Sequence, residues 1–203
     1  QAPPFKKDKF SDKPDLKKDA EVSRTAASEG MVLLRNESST LPLKSESKVA
    51  VFGNTAYDII AGGTGSGDVN KAYTISLVQG LQNSGYTIDA GLQNAYSNYI
   101  KDAKAKRPKP RGFFDTPKPI AEMLFDTTAI DQQANNTDVA LITIGRNAGE
   151  GSDRKIGNDF NLSDTERVLI NTVANAFHSK NKKVVVVLNV GGVIEMMSWR
   201  DNV

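Results

Sequence analysis

The chain has 203 residues, enough for one large domain or for one domain with an extension. Hydrophobic residues make up 38% and charged residues 25%, and the net charge of +2 is too small to indicate nucleic-acid or membrane binding. The absence of cysteine excludes disulfides, thiolate zinc sites and cysteine nucleophiles, and the single histidine, His178, argues against a multi-histidine metal site or an ordinary serine–histidine triad.

The N-terminal part of the chain predicts an arm followed by a helix. Residues 1–14 are rich in Lys, Pro and Asp, and residues 1–15 resemble a linker. Asp15 is predicted to cap a helix through "LKKDAEVSRTAASEG", and Gly30 is predicted to end it. The apolar "MVLLRN" that follows, residues 31–36, is predicted to form a short strand.

Strands and helices then alternate. The predicted strands are "KVAVFG", "YTIDAG", "DVALITIG" and "KKVVVVLNVGG", and the predicted helices lie in "TISLVQGLQNSG", "NAYSNYIKDAKAK", residues 119–134, "SDTERVLINTVANAFHSKN" and "VIEMMSW". Ser163 and Glu166 form a capping box at the start of the clearest helix. The proline-rich "RPKPRGFFDTPKP" is predicted to be a loop, because its prolines are incompatible with regular structure. This alternation predicts an α/β fold, a three-layer α/β/α sandwich with a mainly parallel, flavodoxin-like sheet that stops before its last elements.

Two glycine-rich loops follow predicted strands. Residues 61–67 and residues 145–151 should lie on the same rim, since ligands in parallel sheets bind beyond the carboxyl ends of the strands. The first loop lacks the Gly-Lys-Ser/Thr of a phosphate-binding loop and the full dinucleotide fingerprint, which disfavours nucleotide binding. A flexible structural loop and a sugar-binding loop stay open, and Ser66 and Asp68 are suited to hydroxyl groups.

The second loop, "GRNAGEGSDR", carries Glu150 between two glycines, so its backbone can approach a ligand closely. The alternative is structural, with Glu150 and Asp153 simply pairing with Arg146 and Arg154 at the surface. A third glycine-rich strand end, "NVGGV" at residues 189–193, is explained by tight packing between a strand and a helix, and no chemistry is assigned to it.

Several stretches together resemble the second domain of glycoside hydrolase family 3. They occur in the order of the family and cover most of residues 16–203. They are "RTAASEGMVLLRNESSTLPL", "KVAVFG", "GGTGSGDVN", "GRNAGEGSDR", "FNLSDTERVLI" and "VVVVLNVGGVIEM". The similarity is greatest to bacterial β-glucosidases.

The resemblance implies roles for particular residues. Family enzymes place a (β/α)8 barrel, which carries an aspartate nucleophile usually within Ser-Asp-Trp, beside a six-stranded sandwich that carries the acid/base glutamate. By this similarity Glu150 is the acid/base and Ser66 contacts the sugar in the −1 subsite, while Asp153 and Arg154 shape the loop or an outer subsite. The Ser-Asp-Trp stretch does not occur here. The expected organisation is a linker at residues 1–15 and a partial sandwich at residues 16–203, with the barrel outside this chain.

The expected function is therefore the acid/base half of a retaining, exo-acting β-glucosidase that removes terminal β-D-glucosyl residues from β-glucosides or cello-oligosaccharides. No cofactor or metal is expected, and the family suggests a periplasmic or secreted location. The exact sugar and the oligomeric state stay open, with a homodimer as one option. The alternatives are a noncatalytic carbohydrate-binding or scaffold module of the same fold and, less favoured, a nucleotide-binding flavodoxin-like domain.

Overall fold

The computed structural model describes residues 12–63, 67, 69–108, 118–147 and 153–203, which divide into two compact units at Leu41 and Pro42. The first unit contains helix α1, Leu16–Glu29. Asp15 caps this helix by accepting a hydrogen bond from the backbone N–H of Lys18, and Gly30 ends it, as predicted.

The predicted strand at residues 31–36 does not form. The residues run without regular structure, and the side chains of Met31, Val32, Leu33 and Leu34 are exposed. A strand requires a neighbour to complete its hydrogen bonds, and no strand of the described residues pairs with this segment. The Asn36 side chain instead closes a local loop, accepting from the N–H of Leu41 at 2.9 Å and donating to its carbonyl at 2.8 Å.

The second unit is built on a parallel sheet, as predicted. Its described strands are β1 (Lys48–Phe52), β2 (Thr87–Ile88), β3 (Val139–Arg146) and β4 (Lys183–Val190). The spatial order is β2-β1-β3-β4, and every pair is parallel. All four carboxyl ends therefore lie along one edge of the sheet, which we call the rim.

Helices cover the two faces of this sheet, which confirms the α/β prediction. They are α2 (Asn54–Tyr57), α3 (Leu77–Asn83), α4 (Ala90–Ala105), α5 (Thr127–Asn136) and α6 (Asp164–His178). Val49 and Val51 of β1 pack in an apolar cluster with α2 and α3. Ala50 and Phe52 point the other way, into a larger cluster with α4, α5 and α6. The capping box of Ser163 and Glu166 is present at the start of α6.

Two predicted helices differ from the structure. The helix expected over 119–134 begins only at Thr127, and residues 118–126 form an irregular segment that we call the strap. The Asn54 side chain donates to the strap carbonyls of Ile120 and Ala121, which ties the segment to the end of β1. The helix expected in "VIEMMSW" is also absent. That segment is irregular and ends in a turn, which leads into a three-residue 3-10 helix, Arg200–Asn202, and Trp199 is buried.

Within the described ranges, no helix combines the length and apolarity needed to cross a membrane.

Candidate active site

The predicted site residues fall partly outside the described residues. Glu150 and Ser66, and with them Asp68, lie outside, so their predicted roles stay predictions. Asp153 and Arg154 are described, and Asp153 is exposed. The described residues on either side of the two loops nevertheless define how the loops are held at the rim.

The stem that leads from β3 into the second loop is fixed by a buried ion pair. Arg146, the last residue of β3, meets Glu166 in a two-pronged contact of 2.5 Å from Nη1 to Oε1 and 2.7 Å from Nη2 to Oε2. Both residues are 8% exposed. The Arg146 Nε also donates to the Asp159 carbonyl at 2.7 Å. Bidentate pairs of this kind hold a fixed geometry. Arg146 is therefore a buried anchor rather than the surface residue of the structural alternative.

The stem on the other side of the loop is fixed through Arg154. Its Nη1 donates to the Asp159 carboxylate at 2.8 Å, and its Nη2 donates to the Gly191 carbonyl at the end of β4. The same Asp159 carboxylate accepts from the Lys155 N–H at 3.1 Å, which closes a compact turn. Arg154 thus ties the stem of the loop to the end of the neighbouring strand, and its predicted roles stay predictions.

Sequence reasoning missed a half-buried carboxyl group at the end of β1. The strap delivers Glu122, whose Oε2 accepts the N–H of Asn54 at 3.1 Å and whose Oε1 accepts the N–H of Met123 at 3.0 Å. Burial raises the pKa of Glu122 to about 7, against the opposing effect of these hydrogen bonds. The only local signal was a lone carboxyl within the apolar "PIAEMLF", which a helical reading places on the solvent side.

Tyr96 of α4 completes this cluster. Its hydroxyl accepts the Gly53 N–H at 2.9 Å and is hydrogen-bonded to Glu122, and burial raises the pKa of Tyr96 so that the phenol stays neutral. Gly53 has φ +99°, and a Cβ there would lie 2.3 Å from the Thr143 carbonyl oxygen, so only glycine fits this turn. The path of the backbone as it leaves β1 is therefore fixed by Gly53 and its contacts.

The run from β1 into the first loop is held by a residue of "NVGGV". Asn189 of β4 accepts the Ile60 N–H at 2.8 Å and donates to the Ile60 carbonyl at 3.2 Å. The predicted strand-to-helix packing of this segment is wrong, since β4 is followed by a bend and irregular structure. Gly192, at φ +111°, instead lies beside the Arg154 guanidinium.

The described side chains thus form a frame rather than a complete catalytic site. Among them, no group of three or more His, Cys, Asp or Glu residues is placed to hold a metal ion. What they supply is a fixed start for the first glycine-rich loop and fixed stems on both sides of the second, at the same rim. Such a frame is suited to presenting loop side chains to a ligand beyond the sheet.

Comparison with known proteins places this frame in a family. The family model described as the glycosyl hydrolase family 3 C-terminal domain matches residues 31–203. β-Glucosidase A of Butyrivibrio fibrisolvens is 35% identical over 88% of this chain and 23% of its own length. A β-glucosidase of Ruminococcus albus is 33% identical over 89% of this chain and 18% of its own length.

Solved structures agree. β-Glucosidase 3B from Thermotoga neapolitana in complex with glucose aligns with a TM-score of 0.88 and 44% identity, covering 96% of this chain and 27% of that one. A β-glucosidase from Paenibacillus barengoltzii aligns with a TM-score of 0.79 and 34% identity, covering 90% of this chain and 19% of that one. The chain spans about a quarter or less of the length of these relatives. The match over most of the chain, together with the shared fold, confirms the resemblance: the chain belongs to glycoside hydrolase family 3, as its C-terminal domain.

Proposed function

We propose that this chain supplies the acid/base carboxyl of a retaining β-glucosidase, with Glu150 as proton donor and Ser66 as a contact to the terminal glucosyl unit. The substrates would be β-glucosides and cello-oligosaccharides cleaved from the nonreducing end. The observation that carries the proposal is the likeness at 44% identity to a β-glucosidase whose structure contains glucose. The curated relatives named above are β-glucosidases as well.

Retaining hydrolysis uses two carboxyl groups about 5–5.5 Å apart. One attacks the anomeric carbon, while the other gives a proton to the leaving oxygen and later takes one from water. In this proposal the nucleophile comes from a barrel domain outside the chain and the proton donor is Glu150. Because the carboxyls come from separate domains, their distance depends on how firmly each loop is held.

A proton donor must keep its proton near the working pH, so an arginine paired with Glu150 would oppose the role by lowering the pKa of its carboxyl. Both arginines of "GRNAGEGSDR" are committed to other partners. Arg146 binds Glu166, and Arg154 binds Asp159 and the Gly191 carbonyl. This leaves the loop anchored at both ends by charges that need no contribution from Glu150, which supports the acid role.

The fixed stems also support the required precision. Misplacing a catalytic group by about 1 Å can cost on the order of 10²-fold in rate. The Arg146–Glu166 pair fixes one stem of the second loop, and the Arg154–Asp159 pair fixes the other. Fixed stems of this kind suit a loop that has to present a glycine-flanked carboxyl to a sugar bound against a neighbouring domain.

The test uses this chain joined to the nucleophile-bearing barrel and a series of aryl β-glucosides. Glu150→Gln should lower kcat/KM most for poor leaving groups and least for activated ones, because only poor leaving groups need the proton. Asp102 is an exposed carboxylate on α4, and Asp102→Asn is the control. It should leave kcat/KM unchanged for every substrate in the series. An equal loss on every substrate would overturn the acid role, and glucose binding without hydrolysis by the parent protein would favour the noncatalytic module. A periplasmic or secreted location stays a prediction.

A further inference from the structure

The end of β4 contains a contact that the proposed chemistry does not use. Asn189 lies opposite Gly145 in the register of β3 and β4, at the point where the second loop begins. Its side-chain amide forms two hydrogen bonds with one residue of another segment, Ile60, which is 129 positions away in sequence. Both the N–H and the carbonyl of Ile60 are satisfied by this one amide.

Ile60 directly precedes the glycine-rich loop at residues 61–67. Glycine has little conformational preference of its own, so a loop of this composition takes its direction from whatever holds its ends. The described end on the β1 side is held by Asn189, because the amide fixes both polar groups of the Ile60 backbone. A side-chain amide can do so because its NH2 group donates while its carbonyl oxygen accepts.

The same strand end also contacts the second loop. The Gly191 N–H donates to the Arg146 carbonyl at 3.1 Å, and the Gly191 carbonyl accepts from Arg154. Residues 189–191 therefore touch the start of one loop and both stems of the other. The position of each loop therefore depends on one short segment, residues 189–191, at and just after the end of β4.

We propose that Asn189 is a positioning residue that sets the glycine-rich loop against the bound sugar by clamping the Ile60 backbone. This inference rests on the proposed function, in which Ser66 of that loop contacts the glucosyl unit. Asn189 itself touches no substrate in this account. Asn189 instead fixes the position of the first loop relative to the second loop, because both loops contact the same strand end.

We call the two hydrogen bonds between Asn189 and the Ile60 backbone the clamp. Substitutions at Asn189 distinguish the effect of these hydrogen bonds from the effect of side-chain packing. Asn189→Ala removes both hydrogen bonds, whereas Asn189→Asp keeps the acceptor and places a second oxygen against the Ile60 carbonyl. In the chain joined to its barrel, both should lower kcat/KM by about 10-fold to 10²-fold, as expected for a displacement of about 1 Å. The loss should be the same for good and poor leaving groups, because the sugar contact rather than proton donation is disturbed. Inhibition by glucose should weaken by a similar factor.

Lys182, which directly precedes the opposite end of β4, offers a matched control. Its Nζ donates to the carbonyls of Ala134 at 2.7 Å and Thr137 at 2.5 Å, so Lys182→Met also removes side-chain bonds to a distant backbone segment. This variant should be less stable yet keep the parent kcat/KM and glucose inhibition. Equal kinetic losses in Lys182→Met and Asn189→Ala would overturn the positioning role.

Hydrogen–deuterium exchange tests the clamp without relying on activity. The Ile60 amide should exchange at least about tenfold faster in Asn189→Ala than in the parent chain, while Lys182→Met should leave it unchanged. Unchanged exchange at Ile60 would overturn the inference even in a fully active enzyme. An inactive parent with faster exchange in Asn189→Ala would instead count against the proposed function and leave the clamp supported.

Discussion

Replacing Glu122 with glutamine should change how the stability of the chain depends on pH. Glu122 is half-buried at the end of β1. Its carboxylate accepts from the N–H groups of Asn54 and Met123 and is hydrogen-bonded to Tyr96. Burial raises its pKa from 4.5 to about 7, and the nearby charge of Glu166 adds to that rise. The folded chain therefore holds this proton more tightly than the unfolded chain does.

The size and sign of the effect follow from linkage. A carboxyl whose pKa is raised on folding contributes stability that is fully present below pH 4.5 and is lost as pH rises through about 7. The difference of about 2.5 pH units corresponds to about 3 kcal/mol in total, of which about 2.5 kcal/mol falls between pH 5 and pH 8. Glu122→Gln cannot titrate, so its free energy of unfolding should rise relative to the parent by about that amount over this range.

Urea unfolding at pH 5, 6, 7 and 8 measures this difference, with the fluorescence of the single, buried Trp199 as the signal. Met123→Leu is a matched control in the strap, because it changes a neighbouring side chain of similar volume and removes no titrating group. Its free energy of unfolding should change with pH in parallel with that of the parent. If the free energies of unfolding of the parent and Glu122→Gln also changed in parallel from pH 5 to pH 8, the assignment of a proton to Glu122 would be wrong.

Three further substitutions test the frame, each by chemical or thermal unfolding. Arg146→Met should destabilise the chain by about 3–5 kcal/mol because it leaves Glu166 buried without its partner, and adding Glu166→Leu should restore much of the loss; a double variant no better than the single would contradict this. Gly145→Ala should cost about 1–3 kcal/mol because its Cβ would lie 2.2 Å from Thr55 Cγ2, and Thr55→Ser should relieve the loss; a fully stable Gly145→Ala would refute the close contact. Ser163→Ala should cost about 1 kcal/mol by removing the cap of α6, and an unchanged midpoint would show that the cap is dispensable.

Much of the fold follows from local patterns. The apolar runs of β3 and β4 are long enough to identify buried parallel strands, and the capping box marks the start of α6. Local patterns fail in the strap, where the spacing of Ile120 and Leu124 predicts a helix. The Asn54 side chain instead forms hydrogen bonds with two strap carbonyls that lie 66 and 67 positions away in sequence. It also fails at 31–36, where an apolar run has no strand beside it among the described residues.

The site shows the same division. Reading the strands as parallel was enough to predict that both glycine-rich loops leave one rim. Their anchors could not be predicted, because each depends on a partner far away in sequence: Asn189 meets Ile60 across 129 positions, and the Asn54 N–H meets Glu122 across 68. Glu166 was recognised as a capping residue only, although the same carboxylate also neutralises Arg146.

Azide rescue of Glu150→Ala, in the chain joined to its barrel, tests the acid/base assignment most directly. With an activated aryl β-glucoside, the first step needs no proton donor, so a glycosyl-enzyme should accumulate and await a nucleophile. Added azide should then raise turnover and give β-glucosyl azide, because azide attacks the face that water would have used. Absence of rescue, or formation of the α-azide that marks loss of the nucleophile, would contradict the role assigned to Glu150.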